Sequence, residues 1–237
     1  MNTIKEDMEK YWAQRAEKFS ALRQREFLSE KHAQWLEELE KHLPNCRPLN
    51  ILDIGTGTGF FALLLAERGH HVTGIDITPE MIKEAKRLSE KFHLSADFYV
   101  MDAEEPNFPK GSFDAIVTRK LTWTLPNLPK AYASWHELLK PNGVLINFDA
   151  DYCREKKAEL PPHHAHQDVP DDLMNEYERM KTVLRENQLP RPQWDRELLS
   201  KVGFSSVDID NTVWERVYTQ KDEFYDPTEG FAIIARA

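Results

Sequence analysis

In the stretch Ile51-Leu-Asp-Ile-Gly-Thr-Gly-Thr-Gly-Phe-Phe61 a carboxylate, Asp53, stands just ahead of Gly55, Thr56, Gly57 and Gly59. An apolar run closes on glycines at alternate positions and passes directly into the apolar helical pattern Phe60 to Ala66. Strand, tight turn and helix N-terminus in that order hold nucleotide-like cofactors at the end of a parallel strand. Glycine suits the turn because the backbone bends sharply and a ligand must approach with no Cβ in the way. The plainer reading is a glycine-rich connection that binds nothing. Other polar residues close apolar runs in the same manner: Asp76, Asp102, Arg119 and Asp149.

Three ligands compete for such a turn. A P-loop needs a Lys after the glycines, and none is present, so that reading is excluded. A dinucleotide fingerprint fails from Gly55, because its third glycine would fall on Phe60. From Gly57 the spacing Gly57-x-Gly59-x-x-Ala62 fits, with Asp76 placed to serve a ribose. Against it, Asp53 would lie near a pyrophosphate with no Lys or Arg in the turn to offset the repulsion. The same carboxylate suits a ligand that carries an ammonium or sulfonium group.

These residues need a scaffold, and the chain supplies alternating elements. Residues 4 to 43 read as helical, with Ile4, Met8, Tyr11, Trp12, Phe19 and Leu22 on one stripe and Phe27, Trp35, Leu36, Leu39 and Leu43 on another. Pro44 and Pro48 break the pattern before the first strand. Gly69 closes the helix after the glycine turn. His71 to Ile75 predicts a second strand, and Thr78-Pro79 opens a helix through Met81, Ala85, Leu88 and Phe92. Phe98 to Met101 and Phe113 to Thr118 read as strands, Leu128 to Leu139 as a helix and Val144 to Phe148 as a fifth strand after the turn Pro141-Asn142-Gly143. Alternation of this kind means βαβ units and a parallel sheet, with right-handed crossovers gathering the carboxyl ends of the strands on one rim. Asp151 to Pro192 breaks the regularity, though Leu173, Tyr177, Met180 and Leu184 mark one helix face there. Trp194 to Val202 reads as a helix, Phe204 to Ile209 and the closing run Gly230 to Ala237 as strands. Val213 to Tyr218 is strand-like without a clear place.

Five blocks in order carry a family resemblance: Leu52-Asp-Ile-Gly-Thr-Gly-Thr-Gly59, Gly74-Ile-Asp76-Ile-Thr, Asp102-Ala-Glu-Glu, Ser112-Phe-Asp114-Ala-Ile-Val and Leu138-Leu-Lys-Pro-Asn-Gly143. They resemble the class I S-adenosylmethionine-dependent methyltransferases, of the small-molecule type, over residues 48 to 150. The resemblance implies an α/β, Rossmann-like, doubly wound sheet of seven strands, mostly parallel with an antiparallel last strand. N-terminal helices would form a lid over residues 1–47, ahead of a methyltransferase domain at 48–237. An insertion after strand five, 151–192, would cover the substrate. Gly55, Thr56, Gly57 and Gly59 would line the methionine part of S-adenosyl-L-methionine, near Asp53. Asp76 would hold the ribose, Ile77 would pack on the adenine, Asp102 and Ala103 would meet its edge, Arg119 would border the methionine, and Met81 is a further cofactor-binding candidate. Asn142 stands where the family often has Gly, a turn position that tolerates Asn.

The expected reaction is in-line methyl transfer to a small organic acceptor. Positioning carries most of it, because the cofactor already holds the activated group. Acceptors of raised pKa need a base, and Asp149, Tyr152, His163, His164 and His166 are the candidates. Asp149 could equally be a solvated carboxylate, and Tyr152 a packed aromatic. Tyr11, Trp12, Trp123 and Tyr152 are candidates for the acceptor wall, with simple core packing as the alternative for the aromatic rings. The histidine cluster, with Asp168 and Cys153 in reach along the sequence, reads as an exposed loop rather than a metal site, so no metal is expected. Two other classes stay open: an NAD(P)-dependent oxidoreductase using the shifted glycine spacing, and a non-catalytic cofactor-binding module on the same fold.

A net charge of −9 over 237 residues gives no clustered basic surface, which argues against nucleic acid and anionic membranes as partners. No apolar run is long enough to cross a bilayer. The polar, acidic start and the unpaired spacing of Cys46 and Cys153 make a reducing cytoplasm the expected setting. Oligomeric state is not legible.

Overall fold

Alternating strands and helices build a single seven-stranded sheet in a computed structural model that describes residues 3–46, 48–154 and 169–237. Helix α1 (Ile4–Phe27) starts on a reciprocal cap in which the Thr3 hydroxyl accepts from Glu6 N and the Glu6 carboxylate from Thr3 N. It is followed by α2 (Lys31–Glu40), β1 (Asn50–Ile54), α3 (Phe60–Glu67), β2 (His71–Asp76), α4 (Pro79–Phe92), β3 (Asp97–Val100) and β4 (Phe113–Arg119). Then come α5 (Leu128–Leu138), β5 (Leu139–Ala150), α6 (Asp171–Asn187), α7 (Gln193–Val202), β6 (Ser206–Asp210), α8 (Val213–Val217) and β7 (Gly230–Arg236).

The strand order is β3-β2-β1-β4-β5-β7-β6. β1 pairs in parallel with both β2 and β4, and β7 runs antiparallel between β5 and β6. The order reverses between β1 and β4, the switch point where open α/β sheets leave a crevice beyond the strand ends. The doubly wound, mostly parallel sheet with an antiparallel last strand is therefore the observed architecture.

Each face of the sheet carries its own core. On one side Trp35 of α2, fully buried, meets Phe61, Phe148 and Trp214 edge-on at 5.4, 5.3 and 5.8 Å. On the other, Tyr132 and Trp135 of α5 pack among Leu52, Ile116, Leu145 and Ile233. A third cluster lies outside the sheet and joins Met8 and Tyr11 of α1 to Trp123, Tyr152 and the inner face of α6.

Two local expectations change. Val213 to Val217 is a helix, not a strand: Val213 and Val217, like Trp214 and Tyr218, stand four apart, and all four are buried. β5 begins at Leu139 rather than Val144, with Pro141-Asn142-Gly143 contained in it as an irregularity. Its register on β4 shifts between Phe113 and Ala115, and Asn142 takes a left-handed φ of 65°. Residues 155–168, and with them His163, His164, His166 and Asp168, lie outside the described residues.

Candidate active site

A cavity of about 710 Å³ opens beyond the carboxyl ends of β1, β2 and β4. The glycine turn forms its floor. Gly55 has φ +68°, and a Cβ there would meet the Leu121 side chain at 2.7 Å, so the residue is held to glycine by both conformation and space. Gly57 (φ +54°) also lines the cavity. Gly59 does not: as the N-cap of α3 with φ +87°, it lies against Phe98 and Ala85, where a Cβ would come within 3.1 Å of the Phe98 ring. Gly59 is a packing glycine, a correction to its expected place on the ligand.

Asp53 is the residue that decides what the turn suits. Its Oδ2 accepts from the Thr56 hydroxyl at 2.6 Å and from Ala62 N, in the first turn of α3, at 3.0 Å. The helix N-terminus, where a dinucleotide would seat its pyrophosphate, is thus already met by a carboxylate of the chain itself. Burial pushes Asp53 up to about 7, with the neighbouring Asp76 adding to the rise and Thr56 and Ala62 opposing it. A cation beside it would relieve that cost and a diphosphate would raise it. Thr58 Oγ1, buried in the same turn, has no hydrogen-bond partner among the described residues.

Thr56, Asp76, Ile77, Met81, Asp102, Ala103 and Arg119 also line the cavity. Asp76 accepts from Gly57 N at 3.0 Å and Thr78 N at 2.9 Å, which ties the end of β2 to the glycine turn. Asp102 accepts from Lys5 of α1 at 2.7 Å, and Lys5 also reaches Glu104 at 2.5 Å. Arg119 is clamped by Glu26 of α1 at 2.7 Å and lies over the Trp35 and Phe60 rings at 4.4 and 4.8 Å. Burial alone would raise Glu26, yet Arg119 and Arg23 hold its carboxyl down at about 2.

Helices α1 and α6 and the short 3-10 turn Thr122–Thr124 wall the rest of the cavity. Met8, Trp12, Arg15, Phe19, Leu22 and Arg23 come from α1, and Met174, Tyr177, Glu178 and Lys181 from α6. Trp12, Trp123 and Tyr152 stand on the wall. Tyr11 does not, because its ring is fully buried behind, stacked on Tyr177 at 4.9 Å with its hydroxyl accepting from Arg15. Arg15, Lys120 and Lys181 come to this wall from separate parts of the chain, with Lys120 paired to Asp226 at 2.6 Å and Lys181 3.6 Å from Glu178.

Asp149 leaves the set of base candidates. It does not line the cavity, is fully buried, and is paired with Arg191 at 2.9 Å while accepting from Trp123 N at 2.9 Å. Tyr152 lines the cavity, but its hydroxyl donates to Asp226 at 2.5 Å, and burial first, then Asp226, lifts its pKa well above the usual phenol range. Arg23, Glu26, Lys5 and Asp226 went unnamed in the sequence. Arg15, Arg23 and Glu26 do carry a readable signal, since they fall in phase with the apolar stripe of α1.

Among the described residues, no group of His, Cys, Asp and Glu is arranged to hold a metal ion, and no helix is long and apolar enough to cross a membrane.

Residues 51–143 match the methyltransferase domain family. The chain is 34% identical over 132 residues to the ubiquinone/menaquinone biosynthesis C-methyltransferase UbiE of Rickettsia bellii, covering 52% of this chain and 53% of that protein. It is 38% identical over 101 residues to the demethylmenaquinone methyltransferase of Thermus thermophilus, covering 42% and 46%. The chain thus spans about half the length of the curated relatives it matches. Among solved structures, phosphoethanolamine N-methyltransferase 2 of Haemonchus contortus with S-adenosyl-L-methionine superposes with a TM-score of 0.63 at 20% identity, covering 86% of this chain and 52% of that one. An S-adenosylmethionine-dependent methyltransferase of Mesorhizobium loti gives 0.61 at 17%, covering 85% and 96%. Residues 51–143 thus match a methyltransferase domain, carried on a fold shared with solved S-adenosylmethionine-dependent methyltransferases.

Proposed function

We propose that the protein transfers a methyl group from S-adenosyl-L-methionine to a small organic acceptor by in-line displacement. The observation that carries this reading is Asp53 at the head of α3. Its carboxylate takes the place an anionic cofactor would need and offers a counter-charge to a cationic one. When bound, the cofactor supplies an electrophilic methyl on a sulfonium. Gly55, Thr56 and Gly57 would line its methionine part, Asp76 would accept from the ribose hydroxyls, Ile77 and Met81 would pack against the adenine, and Asp102 and Ala103 would meet its edge. Arg119, neutralised by Glu26, would border the methionine without drawing a second anion into the site.

The remaining half of the cavity, between Trp12, Trp123, Tyr152 and α6, would hold the acceptor. In this reading residues 1–47 act as the lid and 151–192 as the substrate-covering segment of a domain at 48–237. Three of the side chains there, Tyr152, Cys153 and Asp226, are poor general bases. Tyr152 is held protonated, Cys153 is pushed up to about 12, chiefly by burial, and Asp226 is held at about 2 by Lys120 and Tyr152 against the effect of burial. With those three, the wall works by orientation, and thiolates and neutral amines need no proton removed by the protein before transfer. The relatives' names add quinol rings and phosphoethanolamine to the acceptors to try. Both cysteines are free, which fits a reducing cytoplasmic setting.

The test is turnover of S-adenosyl-L-methionine to S-adenosyl-L-homocysteine with menadiol, phosphoethanolamine, thiols, amines and phenols, with products identified by mass. Methylation of at least one is expected. Tight nicotinamide-cofactor binding without S-adenosyl-L-methionine binding would overturn the reading. Cofactor binding with no methylated product across the set would mark a binding module instead.

A further inference from the structure

A buried polar network stands behind the acceptor half of the cavity and contributes nothing to its lining. Arg191 is its centre, with a side chain fully excluded from solvent. Its Nε and Nη2 donate to Asp195 at 2.9 and 2.6 Å, Nη1 to Asp149 at 2.9 Å, and Nη2 also to the Thr122 hydroxyl at 2.5 Å. Tyr132 of α5 donates to Asp195 at 2.6 Å, and Asn147 of β5 to Thr122 Oγ1 at 3.0 Å.

The network reaches the cavity wall through one residue. Asp149 accepts from Trp123 N at 2.9 Å and from the Thr122 hydroxyl. From the other side Gln188, 3% exposed, donates its Nε2 to the carbonyls of Trp123 at 3.0 Å and Leu125 at 3.3 Å. Both backbone groups of Trp123 are therefore held by side chains that never face the ligand. Gln188 and Arg191 also form the connection that leaves α6, whose Tyr177 ring meets the Trp123 ring at 5.7 Å. One short segment thus fixes two adjoining walls of the same cavity. Buried ion pairs are weak stabilisers compared with apolar packing, so this arrangement is better explained by what it orients than by what it adds to stability.

We propose that Gln188 and Arg191 are positioning residues, which set the Trp123 wall against α6 and so align the acceptor without touching it. The inference rests on reading that half of the cavity as the acceptor site. Gln188→Met removes two hydrogen bonds and leaves no buried charge. Tyr132→Phe cuts the network on its far side, away from Trp123, and serves as the control for general loosening. Arg191→Lys keeps a charge between the two carboxylates but loses the planar fork.

Deuterium uptake over residues 120–127, S-adenosyl-L-homocysteine affinity and acceptor kinetics are measured on all three. For Gln188→Met and Arg191→Lys, uptake over 120–127 should quicken and acceptor KM should rise about tenfold with kcat changed less than about threefold. S-adenosyl-L-homocysteine affinity should stay within about twofold of wild type for these variants. Tyr132→Phe should melt earlier with both local uptake and KM unmoved. Unchanged uptake and KM in Gln188→Met would overturn the proposal, as would equal changes in Tyr132→Phe. If no acceptor turns over, the reading of the site fails on its own account, and the uptake comparison still decides whether the network holds the wall.

Discussion

Asp53 couples the ligand reading to pH. Its folded pKa of about 7 lies above the ordinary value of 3.8, chiefly through burial. The folded chain therefore keeps a proton that the unfolded chain releases. The stability Asp53 contributes is complete below about pH 4 and is lost as pH rises through about 7. Asp53→Asn should accordingly melt higher than wild type at pH 8 and close to it at pH 4. A cationic ligand would draw the proton off, so wild-type affinity for S-adenosyl-L-methionine should rise between pH 6 and pH 8, with a flatter profile in Asp53→Asn. Calorimetry across that range checks it. Parallel affinity profiles would show that Asp53 does not sense the ligand's charge.

Among the elements, α1 does more than cover the sheet. Glu26 sits fully buried between Arg119 and Arg23 and accepts from the Trp35 indole, so α1, α2 and the end of β4 meet on one carboxylate. Removing its charge strands two cations, at a cost of about 3–5 kcal/mol. Glu26→Gln should lower the melting temperature at pH 7. Because the folded pKa is about 2 against an ordinary 4.5, the wild type has this contribution in full above about pH 5 and loses it toward pH 2. Wild type and variant should therefore converge in acid melts; a gap that persists at pH 2.5 would assign the effect to packing.

That junction also shows what a sequence can and cannot carry. The glycine turn, Asp53, Asp76 and the strand–helix alternation are local patterns, and they place the rim correctly because each rim residue ends its own strand. Arg119 is legible as a rim residue, but Glu26 is not legible as its partner: the two lie 93 residues apart, and nothing local reports their meeting. Asp149 fails as a base for the same reason. It stands at the end of β5, but it lies off the cavity and is paired with Arg191, which a later helix connection brings in. Val213 to Tyr218 misleads differently, since Val-Trp-Glu-Arg-Val-Tyr satisfies a strand's composition and a helix's spacing at once, and burial of Val213, Trp214, Val217 and Tyr218 on one face settles it.

For the whole molecule, the topology divides a rigid part from a part that ligand binding can order. β1, β4 and β5 are the three central strands of the sheet, with buried faces, whereas β3 and β6 are its edges. Exchange of backbone amides should be slowest in these three central strands and faster in β3, whose Tyr99 and Val100 are exposed. The cavity wall is assembled from α1, the glycine turn, the ends of β2 and β4, and α6, so one ligand touches elements that share no sheet pairing. S-adenosyl-L-homocysteine at a hundredfold over its Kd should stabilise the fold by about 2.7 kcal/mol. For a chain of this size that is a rise in melting temperature of about 5–11 °C. The added protection should fall on residues 53–60, 76–81 and the inner face of α1, and leave β6 unchanged. Protection confined to the glycine turn, with α1 exchanging as before, would show that α1 packs beside the cofactor site without closing over it.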